Sequence, residues 1–175
     1  MEIRRATIDD AAFIAWAVLE ARHGEVDHFM RNIEMTCSSE NSLYSWRHAF
    51  LAIKNNQPVG CLIAYDGGTY LELRNVTFPA VFNTDPTILA NLAPETQGGE
   101  FYLDTLAVMQ EYRHQDIGSR LVGYAIDSVR GEGFHSCTVQ CETELMPFYT
   151  NLRFNHVGHV VYNDLTSEKM EYPLI

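Results

Sequence analysis

Within residues 100–119 of this chain stand the side chains for two kinds of chemistry. Glu100, Tyr102 and Asp104 recur at every second position, so on a strand they share one face, where a carboxylate can take a proton from a bound nucleophile. Arg113, His114 and Gln115 then crowd a polar turn with hydrogen-bond donors, and Asp116, Ile117, Gly118 and Ser119 follow. From residue 117 the apolar period becomes helical, carried by Ile117, Leu121, Val122, Ala125, Ile126 and Val129. The turn must therefore hold a helix N-terminus. First-turn N–H groups have no intrahelical partner there and the macrodipole adds partial positive charge, so residues 113–119 form a phosphate site in outline. Gly118 lets a ligand approach the backbone closely.

These groups need elements to hold them. Residues 101–108 are mostly β-branched or bulky and read as the strand that carries the carboxylates. Upstream, Thr7 and Asp10 make a capping box ahead of a helix with Ile14, Ala15, Val18 and Leu19 on its inner stripe and Gly24 as its stop. Val26, Phe29, Met30, Ile33, Tyr44 and Trp46, set among polar residues over 25–47, predict a second helix and a loop. Residues 50–54 and 59–65 read as the strands of a hairpin around Asn55-Asn56-Gln57-Pro58. Residues 67–99 are punctuated by Gly67-Gly68, Pro79, Pro86, Pro94 and Gly98-Gly99; within them 70–76 alternates like a strand and 88–92 suggests one or two helical turns. After Gly131-Glu132-Gly133 ends the central helix, residues 136–141 read as a strand, and 156–162 with 169–174 as a closing hairpin around Asn163-Asp164.

At 175 residues, with 46% hydrophobic and 20% charged, the chain fits one globular domain over 1–175 and can bury a core without staples. A formal net charge of −11 disfavours nucleic acid and favours cationic partners. No apolar run is long enough to span a bilayer and no signal peptide is recognisable, so the expected location is the cytoplasm, away from membranes. Cys37, Cys61, Cys137 and Cys141 lack CxxC spacing. On one strand Cys137 and Cys141 would lie about 13 Å apart, too far to share a disulfide or a metal, so buried free thiols and no metal site are expected. His23 and His28, five apart, do not share a helical face and are not read as ligands.

Arg113-His114-Gln115-Asp116-Ile117-Gly118 resembles the pyrophosphate loop Arg/Gln-x-x-Gly-x-Gly/Ala of the GNAT superfamily of N-acetyltransferases. Leu106-Ala107-Val108, Glu111-Tyr112-Arg113 and Ser119-Arg120-Leu121 resemble its surroundings, and Val59-Gly60 matches the step on its third strand. Residues 145–154 look like its Ala-x-x-Phe-Tyr-x-x-x-Gly-Phe helix, with Tyr149 kept. Asp116 stands where the family usually has its first glycine, Leu145 at the alanine, Arg153 at the glycine, and Glu142 where the family often has Asn.

The resemblance implies an α/β (α+β) fold, a single domain with a mixed, mainly antiparallel sheet of six to seven strands, flanked by helices and splayed between strands 4 and 5. It implies acetyl-CoA as acyl donor, along Leu106, Ala107 and Val108 and on residues 113–119 from Arg113 to Ser119. Backbone bonds are expected at Leu106 and Val108, and the Val108 N–H as a donor to the thioester carbonyl. Tyr149 is then the acid beside the sulfur, and Asp104 the base, with ordered water as the alternative. The partner would be a primary amine of a small molecule or peptide, and a homodimer stays open. The segment 25–47 would line the acceptor site, with Glu25, Asp27 and Glu34 available to a cation, and 67–99 is longer than the family's usual link. A silent acyl-CoA sensor or an interaction domain is the alternative function.

Overall fold

The computed structural model describes residues 1–24, 29–162 and 165–174. Glu25, Val26, Asp27 and His28, and Asn163 and Asp164 where a hairpin turn is expected, lie outside them. Strand β1 (Glu2–Arg5) leads into helix α1 (Ala11–Ala21), and α2 (Met30–Ser38) precedes the hairpin β2 (Ala49–Lys54) and β3 (Gln57–Asp66). Helices α3 (Tyr70–Phe82) and α4 (Pro86–Ala90) come before β4 (Glu100–Val108), α5 (Ile117–Ser128) and β5 (Ser136–Cys141). Helix α6 (Met146–Asn151) and strands β6 (Asn155–Tyr162) and β7 (Leu165–Pro173) complete the chain. The seven-stranded sheet runs β1-β2-β3-β4-β5-β7-β6, antiparallel throughout except for β4 against β5. No helix among the described residues is long and apolar enough to cross a membrane.

Local chemistry explains most of these elements. The Asp10 carboxylate takes the Thr7 N–H at 2.7 Å and Arg4 Nη1 at 2.8 Å, so the expected capping box also ties β1 to the entry of α1. Gly24, at φ 71°, donates to the Leu19 carbonyl at 2.9 Å and closes that helix. Asn55 and Asn56, at φ 53° and 61°, make a two-residue turn of the type that suits a hairpin, so Gln57 and Pro58 already belong to β3 rather than to the link. All four cysteines are buried and free.

One expectation fails. Residues 70–76 are not a strand but the first half of α3, whose buried positions Tyr70, Leu73, Arg74, Thr77 and Val81 follow a helical period. Arg74 hid that period, because a buried cation reads as surface. Its guanidinium donates to the carbonyls of Leu89 at 2.9 Å and Leu92 at 3.1 Å, clamping the chain around α4 onto α3.

Two cores flank the sheet. Ile14 and Val18 of α1, with Ile33 of α2, pack on Leu51, Ile63 and Tyr102; on the other face Leu121, Val122, Ala125 and Ile126 of α5 pack on Phe50, Leu62 and Leu103. A Cβ at Gly60 would come within 3.1 Å of Ile117 Cγ2 and 3.2 Å of Leu121 Cδ1, so glycine in β3 lets the start of α5 sit close on the sheet.

The splay follows from register. Strand β4 pairs with β5 only from Glu100 to Leu103, yet continues to Val108, while β5 continues to Cys141 on β7. At the point of parting, Ile63 faces Thr105 and Ala64 faces Leu103, which leaves Asp104 without a partner in β3. A bulge of this kind bends its strand and re-aims a side chain.

Candidate functional site

The wedge between β4 and β5 is a cleft of about 530 Å³ lined by Leu106, Ala107, Val108, Arg113, Cys141, Glu142 and Tyr149 among others. The Met109 N–H bonds the Val59 carbonyl at 2.9 Å, so alternation turns the N–H groups of Leu106 and Val108 away from β3 and into the wedge. At its far end, the first bond of α5 runs from the Arg120 N–H to the Asp116 carbonyl at 3.0 Å. The N–H groups of Ile117, Gly118 and Ser119 have no partner among the described residues. An extended chain ending in phosphates fits this arrangement, with amide donors along its length and a helix N-terminus at its end.

The side chains of the loop are placed differently from the sequence expectation. Arg113 lines the cleft, but its guanidinium bonds Glu20 of α1 at 2.7 Å and the Val108 carbonyl at 3.1 Å. Gln115 is held between Lys54 and the Glu111 carbonyl, and His114 is exposed at φ 58°. Backbone, not these side chains, is what the loop offers to an anion. Glu20 with Arg113, and His23 with Glu142 at 2.7 Å, link the end of α1 to both sides of the wedge.

Asp116 explains its own departure from the family pattern. It sits at φ 59°, a left-handed conformation that Asp tolerates better than most residues, and its exposed carboxylate caps nothing. Asp116→Gly should therefore tighten acetyl-CoA binding about two- to five-fold, and calorimetry should show the gain shrinking with added salt. An affinity unchanged across salt means that the carboxylate does not act on the phosphates.

At Gly118 a Cβ would lie 3.4 Å from Phe148 Cζ and 3.7 Å from Leu106 Cδ2, so alanine fits and the branches of valine crowd the ring. Gly118→Val should weaken coenzyme A binding by about ten-fold or more, with Gly118→Ala close to wild type. Equal affinity for all three proteins removes the phosphates from this turn.

Tyr149 of α6 lines the cleft, only 4% exposed, with its ring between those of Phe148 and Phe154. Burial pushes its hydroxyl well above the ordinary tyrosine value, so it holds its proton at neutral pH. The neighbouring Cys141 thiol is pushed up to about 11 by burial and the charge of Glu168, which leaves it a poor nucleophile near neutrality.

Beside the cleft lies a second cavity of about 240 Å³, and Ala21, Asp104, Gln140 and Ser167 line both. Asp104 thus stands at the junction. The Tyr65 hydroxyl donates to its Oδ2 at 2.5 Å and Thr105 to its Oδ1 at 2.8 Å, which fixes the carboxylate and leaves acceptor positions open. Across the cavity the Tyr102 hydroxyl donates to Glu95 Oε2 at 2.5 Å; burial, with the charge of Asp104, raises the Glu95 carboxyl above its ordinary value. Arg22 donates to the Tyr44 hydroxyl at 2.8 Å in the same cavity.

The strand face read from the sequence is real, but its members divide. Glu100 is taken up by Lys169 at 2.9 Å with Thr96 and Thr138, Tyr102 holds Glu95, and Asp104 reaches the junction. Glu34 is exposed on α2 and lines neither cavity. Glu95 was missed by sequence reasoning. Its signal was being the lone charge between Pro86 and Gly99, in a segment otherwise read only as punctuation.

The site is thus a parallel strand pair that parts onto an α-helix N-terminus within a mainly antiparallel sheet. The model of the acetyltransferase (GNAT) family matches residues 16–154, and the chain belongs to that family. Among solved structures, an N-acetyltransferase from Staphylococcus aureus Mu50 is similar at 19% identity and TM-score 0.80, over 98% of this chain and 100% of that one. A Corynebacterium glutamicum structure described as histone acetyltransferase HPA2 and related acetyltransferase is similar at 17% identity and TM-score 0.70, over 99% and 96%. A structure of the NatC complex bound to Gag peptide and CoA gives 18% identity and TM-score 0.63, over 100% of both chains. At these identities the likeness is one of fold. No curated protein matches the sequence significantly.

Proposed function

We propose that the chain, as one domain over 1–175 working in the cytoplasm, transfers an acetyl group from acetyl-CoA to a primary amine. The observation that carries this reading is the meeting of the two cavities at Asp104: one offers vacant strand amides and a protonated tyrosine, the other fixed carboxylates. The CoA named with the NatC structure supports the choice of donor.

Acetyl-CoA, when bound, supplies the acetyl group as an activated thioester. The N–H groups of Leu106 and Val108 and those of residues 117–119 hold it, and the Val108 N–H donates to the thioester carbonyl oxygen as negative charge grows there. Asp104 accepts a proton from the acceptor's ammonium, leaving a neutral nitrogen to attack the carbonyl carbon. As the new C–N bond forms and the C–S bond breaks, the Tyr149 hydroxyl gives its proton to the sulfur; the proton the nitrogen then sheds restores that hydroxyl, and Asp104 returns its own to solvent, leaving the amide and the free thiol. The raised Cys141 thiol favours direct transfer over an acyl-enzyme route.

Calorimetry with acetyl-CoA tests the donor half of this reading. A silent acyl-CoA sensor would also bind, whereas an interaction domain would show no heat; amine-dependent release of the thiol then separates the enzyme from the sensor.

A further inference from the structure

The reading above leaves the acceptor's class open, and the second cavity narrows it. Its walls carry two carboxylates, Asp104 and Glu95, and one guanidinium, Arg22. The attacking nitrogen must be neutral, so whatever charge the cavity recognises in the reactive complex sits elsewhere on the acceptor. Arg22 donates to the Tyr44 hydroxyl, and among the described residues Glu95 forms no ion pair, so a second positive charge on the acceptor has a carboxylate to meet, whereas a carboxylate on the acceptor would face one of its own sign.

The two carboxylates also hold different positions. Asp104 lines both the cavity and the acyl cleft, whereas Glu95 lines the cavity alone. Glu95 comes from the segment between α4 and β4 and is held by the Tyr102 hydroxyl, with its own carbonyl taking Gln140 Nε2 at 3.1 Å. Tyr44, Tyr70, Tyr102 and Phe78 add aromatic surface, which suits an organic ammonium.

We propose, on the basis of the acetyltransferase reading, that this cavity selects acceptors with a second cationic centre, Asp104 facing the nitrogen that is acetylated and Glu95 the ammonium that is not. The acceptor class is then a small diamine rather than an amino acid. A chain of net charge −11 would also draw such cations toward it.

Three four-carbon amines test this: 1,4-diaminobutane, butylamine and 4-aminobutanoate. In the wild-type protein kcat/KM should be about ten-fold higher for the diamine than for butylamine, and about a hundred-fold higher than for 4-aminobutanoate. Glu95→Gln keeps an oxygen for Tyr102, and should erase the diamine's advantage over butylamine. Calorimetry of 1,4-diaminobutane alone, without the acyl donor, should show binding that weakens about ten-fold in Glu95→Gln. Equal use of 4-aminobutanoate and the diamine, or a diamine preference that survives Glu95→Gln, overturns the proposal. Diamine binding that depends on Glu95, with no turnover of any amine, would uphold the cavity's selectivity and overturn the transferase reading instead.

Discussion

Tyr149→Phe should lower turnover by about a hundred-fold while leaving acetyl-CoA affinity nearly unchanged. The substitution keeps a ring that packs against Phe148 and Phe154 and removes only the hydroxyl. That hydroxyl has no hydrogen bond to a described residue, so its loss strands no partner. Because burial holds the group protonated well past neutrality, it can donate across the working range. The alkaline limb of the pH–rate profile should therefore belong to some other group. Single-turnover kinetics and calorimetry together check the separation of chemistry from binding. A loss below about three-fold would mean that solvent protonates the thiolate, and a parallel fall in affinity and stability would make Tyr149 a core residue.

For Asp104→Asn the expected loss is also about a hundred-fold or more, in kcat/KM near neutral pH. The amide oxygen still accepts from one of the two hydroxyls, and the other, of Tyr65 or Thr105, can turn to accept from the amide nitrogen, so the fold should hold and the melting temperature should change little. The deficit should narrow as the pH rises toward the acceptor's own pKa, since free amine then arrives already deprotonated. A deficit that stays constant up to that pH would assign Asp104 to positioning. Full activity would hand proton removal to ordered water or to Glu95.

Both candidates stand out in the sequence through periodicity and motif, and the limits of that reading are physical. The change from period two to a helical period at Ile117 marks the turn at the N-terminus of α5 because a strand and a helix bury different spacings. Asn55 and Asn56 mark the hairpin because they tolerate positive φ. Strand β5, residues 136–141, was bounded as it stands.

Contacts across long separations left no such trace. Arg113 finds Glu20 across 93 residues, so one of the donors expected to face an anion is engaged by α1, and His23 finds Glu142 across 119. The bulge at Asp104 depends on how β3 pairs, which β4 alone does not reveal. Glu95 is placed by the packing of α3 and α4, and the helix itself was masked by a buried arginine whose partners are carbonyls.

Thiol release from acetyl-CoA, followed with and without an amine, bears most directly on the central claim. The panel should span polyamines, amino acids, aminoglycosides and peptide N-termini. The account predicts release that requires the amine, saturates with it, yields the N-acetylated product and falls sharply in Tyr149→Phe and Asp104→Asn. Tight acetyl-CoA binding with no amine-dependent release across that panel would contradict it.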